Sequence, residues 1–326
     1  MIRAALPGAA LLLGLAGCAA SPPLASGLAP TLPRTLELRE TPFFPQQDYQ
    51  CGPAALATVL QSSGVAVEPA ALAPQVYLPE RHGSLQAELI AATRRHGRLP
   101  YLLPGNGDAL LAELAAGRPV LVLQNLRFQA LPAWHYAVLI GYDATRNVAV
   151  LRSGRRERLE MRWQSFARSW HFGGRWAMTT LVPGVMPANA EAARYLESAA
   201  GLEAAGQPGG ANIAYEAAIA RWPDEPFAWL GRGNIAYAEG RLAAAADAYA
   251  RAVTLRPDDA SARNNLAQAL ADSGCLVAAR RQVNRASVLA AGSVLAAAVE
   301  ATRADIESKA RQSSAACTLA DRSWPD

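Results

Sequence analysis

Apolar residues follow two different patterns along this chain of 326 residues. Up to about residue 183, helical runs rich in alanine and leucine, such as 54–60, alternate with apolar runs of strand length. The strands that this pattern predicts are 119–126, 134–141, 148–152 and 175–182. Beyond 183–187 the chain is alanine-rich and helical, with glycine-marked breaks. The pattern predicts an α+β domain followed by an all-α domain.

The helical part repeats itself every 34 residues. Alanines, an aromatic position and a proline recur together, which makes a chance recurrence of alanine a weak explanation. Small residues at the recurring positions let paired helices approach closely, and the aromatic ring fills the space between them. The recurring sets are Ala211, Ala245 and Ala279; Tyr215, Tyr249 and Val283; Ala218, Ala252 and Ala286; and Pro223 and Pro257.

Trp229 and Gly233 complete a pattern that resembles the tetratricopeptide repeat (TPR). The resemblance implies a helical-repeat domain over residues 190–311, made of three helix pairs and a terminal helix at 289–311. Such an array has a concave face on which a protein partner would bind. Residues 312–326 are predicted to form a C-terminal tail.

Cys51 lies where an extended, proline-marked segment enters a helical run, with Pro53 in the first turn. Free N–H groups and the helix dipole at this end favour a thiolate, so we expect a thiol pKa below the usual value of about 8.5. Gln46, with Gln47 as the alternative, would offer an amide donor to an oxyanion. The other interpretation is a small buried cysteine in a helix cap.

His135 is the strongest candidate for a base among the four histidines. It opens an apolar strand that ends at a Gly-Tyr-Asp turn, so its ring is fixed at the edge of a sheet. His82 and His96 are predicted at exposed loop or helix-end positions, and His171 in a turn beside a tryptophan. Taken alone, His135 would be interpreted as a structural histidine; paired with Cys51 it becomes a candidate catalytic base.

Gln-x4-Cys-Gly-Pro-Ala-Ala, followed by His-Tyr-Ala-Val-Leu-Ile-Gly-Tyr-Asp, resembles the bacteriocin-processing, double-glycine-leader cysteine peptidases and their stand-alone relatives. The resemblance spans residues 36–183 and implies a papain-like α+β fold. It implies that Cys51 is the nucleophile, His135 the base and Gln46 the oxyanion donor. The family carries an acidic residue as third member; here Ser153 occupies that position, and Asp143 is expected to point away from the ring.

The N-terminus has the features of a bacterial lipoprotein signal over residues 1–18. Arg3 precedes a short apolar run, and Leu-Ala-Gly-Cys matches a lipobox in which Cys18 becomes the lipidated first residue. An ordinary signal peptide cleaved nearby is the alternative. By resemblance to Gram-negative lipoproteins, Ala19 in place of an aspartate after the cysteine suggests the outer membrane, facing the periplasm. Residues 19–35 are predicted to form a flexible tether.

The net charge of +4 and the pI near 9.0 are compatible with an anionic partner. However, no aromatic residues of the kind found in nucleic-acid platforms are interleaved with the clustered arginines Arg152, Arg155, Arg156 and Arg158. We therefore predict a solvated turn, with a contact to an anionic surface as the alternative, and no nucleic-acid partner. No phosphate-binding glycine loop and no metal-ligand spacing occurs, so no cofactor and no metal is expected.

The sequence therefore predicts a lipid-anchored cysteine peptidase of the bacterial envelope that acts on a peptide or protein, with a TPR domain for partner recognition. Two alternatives remain open: an inactive peptidase fold that serves as a binding scaffold, and an amidase or transpeptidase acting on cell-wall peptides. In an exported protein, Cys275 and Cys317 are candidates for a disulfide that fastens the last repeat.

Overall fold

The computed structural model describes residues 24, 28–46, 50–312 and 316–325. The described residues between 28 and 183 form a mixed domain of seven strands and five α-helices. The strands are β1 (Thr35–Glu37), β2 (Leu99–Leu102), β3 (Val120–Asn125), β4 (Trp134–Asp143), β5 (Val148–Ser153), β6 (Arg156–Arg162) and β7 (Ala177–Leu181). The helices are α1 (Cys51–Ser62), α2 (Pro69–Val76), α3 (Gln86–Arg95), α4 (Gly107–Ala115) and α5 (Trp163–Phe172).

All seven strands belong to one antiparallel sheet. Six of them follow the order β2-β7-β3-β4-β5-β6, and β1 pairs with the C-terminal end of β4. Helices α1, α2 and α3 pack on one face, where Leu56 and Leu72 meet Ile140. Helices α4 and α5 pack on the other face, where Leu110 and Phe166 meet Val122. The central strands are buried on both faces, which explains their continuous apolar runs.

Three strands were not predicted from the sequence, and each lacks the expected pattern. β1 and β2 are short, and β2 contains Pro100. β6 is an exposed strand at the end of the sheet, with charged residues at most positions. The predicted solvated turn through the arginine cluster is therefore wrong, because the turn itself covers only residues 154–155.

Arg152 departs furthest from that prediction. It is buried, and its guanidinium donates hydrogen bonds to the carbonyl oxygens of Arg39, Thr41 and Glu157. Because these carbonyls lie in two different segments, Arg152 fastens the chain before α1 to β5. A cationic side chain in this place is structural, and three satisfied carbonyls compensate for the loss of its hydration.

The second part is an array of seven helices in three antiparallel pairs followed by one further helix. The glycines of α8 allow the close packing within the array, since a Cβ on Gly231 would lie 2.2 Å from Cζ of Tyr215, and one on Gly233 would lie 2.5 Å from Cδ1 of Tyr249. The helices are α6 (Ala192–Ala204), α7 (Pro208–Arg221), α8 (Pro226–Ala238), α9 (Leu242–Leu255), α10 (Ala260–Asp272), α11 (Leu276–Ala290) and α12 (Ala296–Gln312).

The terminal helix was predicted to start at residue 289, but it starts at Ala296. Helix α11 continues to Ala290, and the chain then turns through Gly292, whose φ of 73° lies in the left-handed region. Alanine-rich runs on both sides hide this boundary in the sequence.

The two parts share a continuous apolar core. Tyr195 and Leu202 of α6 are fully buried in the same cluster as Leu99 and Tyr101 of β2. Polar contacts support this junction: Ser198 Oγ donates to the carbonyl of Pro100 at 2.9 Å, and Tyr101 Oη lies 3.2 Å from the carbonyl of Asn189 and from the N–H of Glu191. The repeats are thus fixed to the edge of the sheet.

The described part of the predicted flexible tether packs against the α+β domain, which corrects that prediction. Leu24 is buried and its N–H donates to Asn147 Oδ1 at 2.9 Å. Leu28 and Leu32 pack against the same core. Leucines at intervals of four residues are the signal that the proline-rich composition obscured.

The C-terminal tail also packs on the repeats. Cys275, just before α11, forms a disulfide with Cys317, with a Cα–Cα distance of 4.3 Å. Thr318 donates to the carbonyl of Ser273, and Leu319 is buried in the core of the last repeat. Within the described ranges, no helix has the length and apolar character needed to cross a bilayer.

Candidate active site

A cleft of about 1170 Å³ contains three of the residues that the sequence singled out. Cys51 enters it from the start of α1, His135 from the start of β4, and Gln46 from the segment before α1. The turn between β5 and β6, the segment before α3 and the end of α5 also form the walls. Residues separated by up to 89 positions therefore meet in one concave site.

Cys51 is the first residue of α1 and is half-buried. Gln50 precedes it as the N-cap without a side-chain hydrogen bond, so no capping side chain competes for the first N–H groups. Burial raises the pKa of the Cys51 thiol, while backbone hydrogen bonds with Tyr136, Gly52 and Cys51 itself act in the opposite direction with a smaller effect. The prediction of a lowered thiol pKa is thus wrong for this structure, because desolvation outweighs the N-terminal position.

His135 is held by a serine. Its Nε2 lies 2.9 Å from Ser153 Oγ, so Nδ1 is the ring nitrogen that this contact does not occupy. Burial also lowers the pKa of the imidazole. Because the thiol pKa rises and the imidazole pKa falls, both groups are favoured in their neutral forms.

Asp143 lies at the other end of β4, eight residues from His135, which corresponds to roughly 26 Å along an extended strand. Its Oδ1 accepts hydrogen bonds from the N–H groups of Thr145 and Arg146. The carboxylate therefore stabilises the turn between β4 and β5 and does not approach the imidazole.

Gln46 is positioned by its backbone. Its N–H donates to the carbonyl of Gly154 at 3.0 Å, and its Nε2 lies 3.5 Å from the carbonyl of Tyr136, the residue after the histidine. The amide thus lines the cleft beside Cys51. Gln47, the alternative donor, and Cys18 lie outside the described residues.

Ser84 is a site residue that the sequence did not reveal. Its Oγ is buried and has no hydrogen-bond partner among the described residues, and its carbonyl accepts from Tyr136 Oη at 3.3 Å. A Cβ on Gly52 would lie 2.2 Å from that Oγ, so the glycine after Cys51 allows the segment before α3 to approach. Gly52 was the available signal, but nothing in the sequence identified its neighbour.

Two of the other histidines, His96 and His171, are not among the described residues that line this cleft. His171 lies in the last turn of α5, where Nδ1 accepts from Arg175 Nε at 3.2 Å, and His96 follows the end of α3. His82 lies on the cleft wall with a φ of 46°. In the part of the chain that the structure describes, no cluster of His, Cys, Asp or Glu could hold a metal ion.

The arrangement of thiol, imidazole and amide donors has a defined chemical capability. A thiol next to a base can attack a carbonyl carbon, and N–H donors at the start of a helix can stabilise the resulting oxyanion. Nδ1 can act as a general base in the tautomer in which Nε2–H donates to Ser153 Oγ. The geometry is suited to acyl transfer.

Comparisons with known proteins agree with this division of the chain. Residues 38–178 match the family model described as Peptidase_C39 like family. Residues 196–260 and 245–296 match the model described as tetratricopeptide repeat. A search of the curated proteins found no match.

Two solved structures are similar to separate parts of the chain. A protein from Bacillus anthracis described as a C39-like peptidase is 17% identical with a TM-score of 0.39, covering 45% of this chain and 97% of its own. The first TPR of Spaghetti (RPAP3), bound to the HSP90 peptide SRMEEVD, is 20% identical with a TM-score of 0.34, covering 37% of this chain and 94% of its own. The predicted fold class is confirmed: an α+β domain that resembles C39-like peptidases precedes a C-terminal array of TPR helices.

Proposed function

We propose that this protein is a cysteine peptidase that hydrolyses peptide bonds with Cys51 as nucleophile and His135 as base. The observation that carries the proposal is their meeting in one cleft, with the imidazole oriented through Nε2 by Ser153. The match of residues 38–178 to a peptidase family supports the reaction class.

The reaction follows from the positions of the groups. Nδ1 of His135 takes the thiol proton as the sulfur of Cys51 attacks the amide carbonyl carbon. The N–H of Cys51 and the amide of Gln46 stabilise the oxyanion. The imidazolium then protonates the leaving amine as the C–N bond breaks. Water, deprotonated by His135, attacks the thioester carbonyl; the C–S bond breaks, the carboxylic product leaves, and the imidazolium returns its proton to the sulfur of Cys51.

The pKa shifts of Cys51 and His135 bear on when the thiol proton is transferred to the imidazole. A buried thiol with a raised pKa and a buried imidazole with a lowered pKa disfavour a resting thiolate–imidazolium pair. Proton transfer therefore accompanies the attack on the substrate. Ser153 orients the ring but offers no negative charge to the imidazolium, unlike a carboxylate.

Comparison of wild-type protein with Cys51→Ser tests this function. Each is incubated with a mixture of cell-envelope peptides, and new peptide termini are identified by mass spectrometry. We expect new termini with the wild type alone. Identical peptide sets, from two proteins with the same unfolding temperature, would contradict peptidase activity.

The site also has a feature that favours a second function, an inactive peptidase fold used as a binding scaffold. Ser153 replaces the expected carboxylate, and burial keeps both partners neutral. A scaffold would bind peptides equally well with cysteine or serine at position 51 and would release no products. The same comparison, extended to peptide binding, separates the two functions.

We propose further that the protein is a lipid-anchored component of the bacterial envelope, on the outer membrane facing the periplasm. The signal-like residues 1–18 and the lipobox ending at Cys18 support this location, and the Cys275–Cys317 disulfide suits an oxidising compartment. Incorporation of labelled fatty acid into the wild type but not into Cys18→Ser tests the anchor. Incorporation into neither protein would contradict it.

The repeats would bind a protein or peptide partner. A groove of about 490 Å³ between α6 and α8 is lined by apolar residues including Leu196 and Phe227, and Arg256 lies over the Phe227 ring at 4.6 Å. The match to the tetratricopeptide repeat supports this role. Cross-linking from Phe227 should capture a partner that is lost when Leu230, in the same groove, is replaced by glutamate.

A further inference from the structure

The permanently charged side chains that the structure describes in the proposed catalytic cleft all carry positive charge. Among the described residues that line it, the permanently charged ones are Arg81 and Arg155, and none is acidic. Arg81 closes the short helical turn before α3, and Arg155 lies in the turn between β5 and β6. Both side chains are exposed, and neither has an acidic partner in the described part of the chain.

Among the described residues of the same domain, Arg118, Arg146 and Arg158 form ion pairs with glutamates, whereas Arg81 and Arg155 do not. Arg146 and Arg158 both form ion pairs with Glu160, and Arg158 also pairs with Glu37. Cations without an intramolecular partner at the wall of a concave site attract an anionic ligand by their combined field.

An apolar surface adjoins the cationic cleft. The connection from β3 to β4 carries Leu126, Phe128, Leu131 and Trp134 with exposed fractions of 50%, 78%, 71% and 57%. We name residues 126–134 the apolar hairpin. Trp134 also lines the cleft, so the two surfaces are continuous.

The apolar hairpin is held in a defined shape. Asn125 is buried, and its Oδ1 accepts from the N–H groups of Arg127 and Ala133 at 3.1 and 3.0 Å. Phe128 and Leu131 form an isolated antiparallel bridge across the loop. A preorganised apolar surface of this kind loses little conformational entropy when it binds a ligand.

From the cleft and the apolar hairpin together we infer that the site selects an acidic peptide segment with apolar side chains. Carboxylates of the segment pair with Arg81 and Arg155, and its apolar side chains cover Phe128, Leu131 and Trp134. As a statement about substrate, this rests on the proposed peptidase function. A polypeptide fits better than a lipid surface, because the arginines line a concave cleft that an extended chain can enter and a flat bilayer cannot.

Binding to full-length Cys51→Ala protein tests the selectivity without turnover. The probes are fluorescent twelve-residue peptides that contain two leucines and either two glutamates or two glutamines, and anisotropy measures their affinity. We expect the glutamate peptide to bind about tenfold more tightly, an advantage that falls as salt rises. Equal affinities for the two peptides would overturn the inference.

Variants assign the effect to the two arginines. Replacing both arginines by glutamate should reverse the preference for the glutamate peptide. Replacing both by glutamine should abolish this preference, and it provides the test if the charge reversal impairs folding. Arg168→Glu is the matched control, an exposed arginine of α5 outside the cleft, and should leave the preference intact. A preference that survives both double variants would contradict the assignment.

The apolar hairpin has its own test. The double variant Phe128→Ser and Leu131→Ser should bind the glutamate peptide several-fold more weakly than the protein with Phe128 and Leu131 intact. When serines replace the leucines of the peptide, the two proteins should bind it with equal affinity. Sedimentation with phosphatidylglycerol vesicles provides the opposing outcome. If the double variant loses vesicle binding but keeps its affinity for the peptide, the apolar hairpin contacts a lipid surface, and the inference is overturned.

The binding test is independent of catalysis. Selective binding of the glutamate peptide by Cys51→Ala, without cleavage by the wild type, would refute the peptidase and leave this inference standing. Cleavage of both peptides by the wild type, with equal binding, would refute this inference and leave the peptidase standing.

Discussion

At the scale of single residues, Cys51 shows two opposing physical effects. The N-terminus of a helix favours the thiolate, and burial disfavours it. In this structure burial is the larger effect, so the pKa of the thiol is raised. Sequence reveals the first effect, because Pro53 and the alanine run mark the helix start, but burial depends on the distant segments that form the walls of the cleft.

The pH dependence of alkylation follows from this balance. The rate at Cys51 should rise with pH to a midpoint above the ordinary value of about 8.5, because only the thiolate reacts and burial delays its formation. Iodoacetamide labelling followed by mass spectrometry measures the midpoint. A midpoint well below the ordinary value would mean that a thiolate–imidazolium pair exists at rest.

Ser153 orients the His135 imidazole through Nε2 but carries no negative charge that could stabilise an imidazolium. Ser153→Ala should lower turnover by about two- to tenfold, because the ring loses its partner at Nε2. Ser153→Asp should raise the imidazole pKa and move the acidic limb of the pH–rate profile to higher pH, since a carboxylate favours the imidazolium. Peptide hydrolysis measured from pH 4 to 9 provides both results.

Asp143→Asn is the control for this pair of variants. Its amide oxygen can still accept from the turn N–H groups, so activity should be unchanged. Loss of activity in Asp143→Asn, with Ser153→Ala unaffected, would show that the wrong partner has been identified.

At the scale of elements, the start of α1 meets the segment before α3 with no space between them. In Gly52→Ala the new Cβ would lie 2.2 Å from Ser84 Oγ and 2.6 Å from Ser84 Cβ, so one element must move. We expect destabilisation of about 1–3 kcal/mol and a marked fall in kcat/KM. Ser84→Gly in the same protein should restore much of both. Urea unfolding and peptide hydrolysis measure them.

Gly209→Ala serves as the matched substitution, because nothing lies within 4 Å of its added Cβ in α7. It should leave activity unchanged and stabilise the helix by up to about 1 kcal/mol. Similar losses from Gly52→Ala and Gly209→Ala would contradict the close-contact explanation.

The elements also show what the sequence could predict. Buried strands such as β3 and β4 were predicted because their apolar runs are continuous, and the repeat helices because tyrosine and proline recur with the alanines. β6 was missed because a charged end strand carries no apolar pattern. The role of Arg152 as a buried link between segments depends on long-range contacts that no local pattern encodes.

At the scale of the whole molecule, the chain is one connected body. The core of the α+β domain continues through Tyr195 and Leu202 into the first repeat, and the C-terminal tail covers the last repeat. The groove of the repeats and the cleft at Cys51 are thereby joined through one apolar core. This arrangement is compatible with the proposed function, in which a partner binds at the repeats and a peptide bond is cleaved at the cleft.

The disulfide between Cys275 and Cys317 closes a loop with a sequence separation of 42 residues. In the chain-entropy account, removing it costs about 3–4 kcal/mol. Cys275→Ser with Cys317→Ser should lower the unfolding temperature, and reduction of the wild type should have the same effect. Differential scanning calorimetry with and without reductant measures both.

Cys51→Ser is the control for this experiment and should unfold at nearly the wild-type temperature, because Cys51 is a free thiol. An unchanged unfolding temperature in the double variant would contradict the stabilising role of the disulfide.

The central claim is that Cys51 is a nucleophile activated by His135, and reaction with a peptide-like electrophile tests it most directly. A peptidyl vinyl sulfone should label Cys51 in the wild-type protein and much more slowly in His135→Ala, while His171→Ala should react like the wild type. Mass spectrometry of the labelled peptides identifies the site, and the time course gives the rates. Failure to label Cys51 in folded wild-type protein, or equal rates with and without His135, would contradict the account.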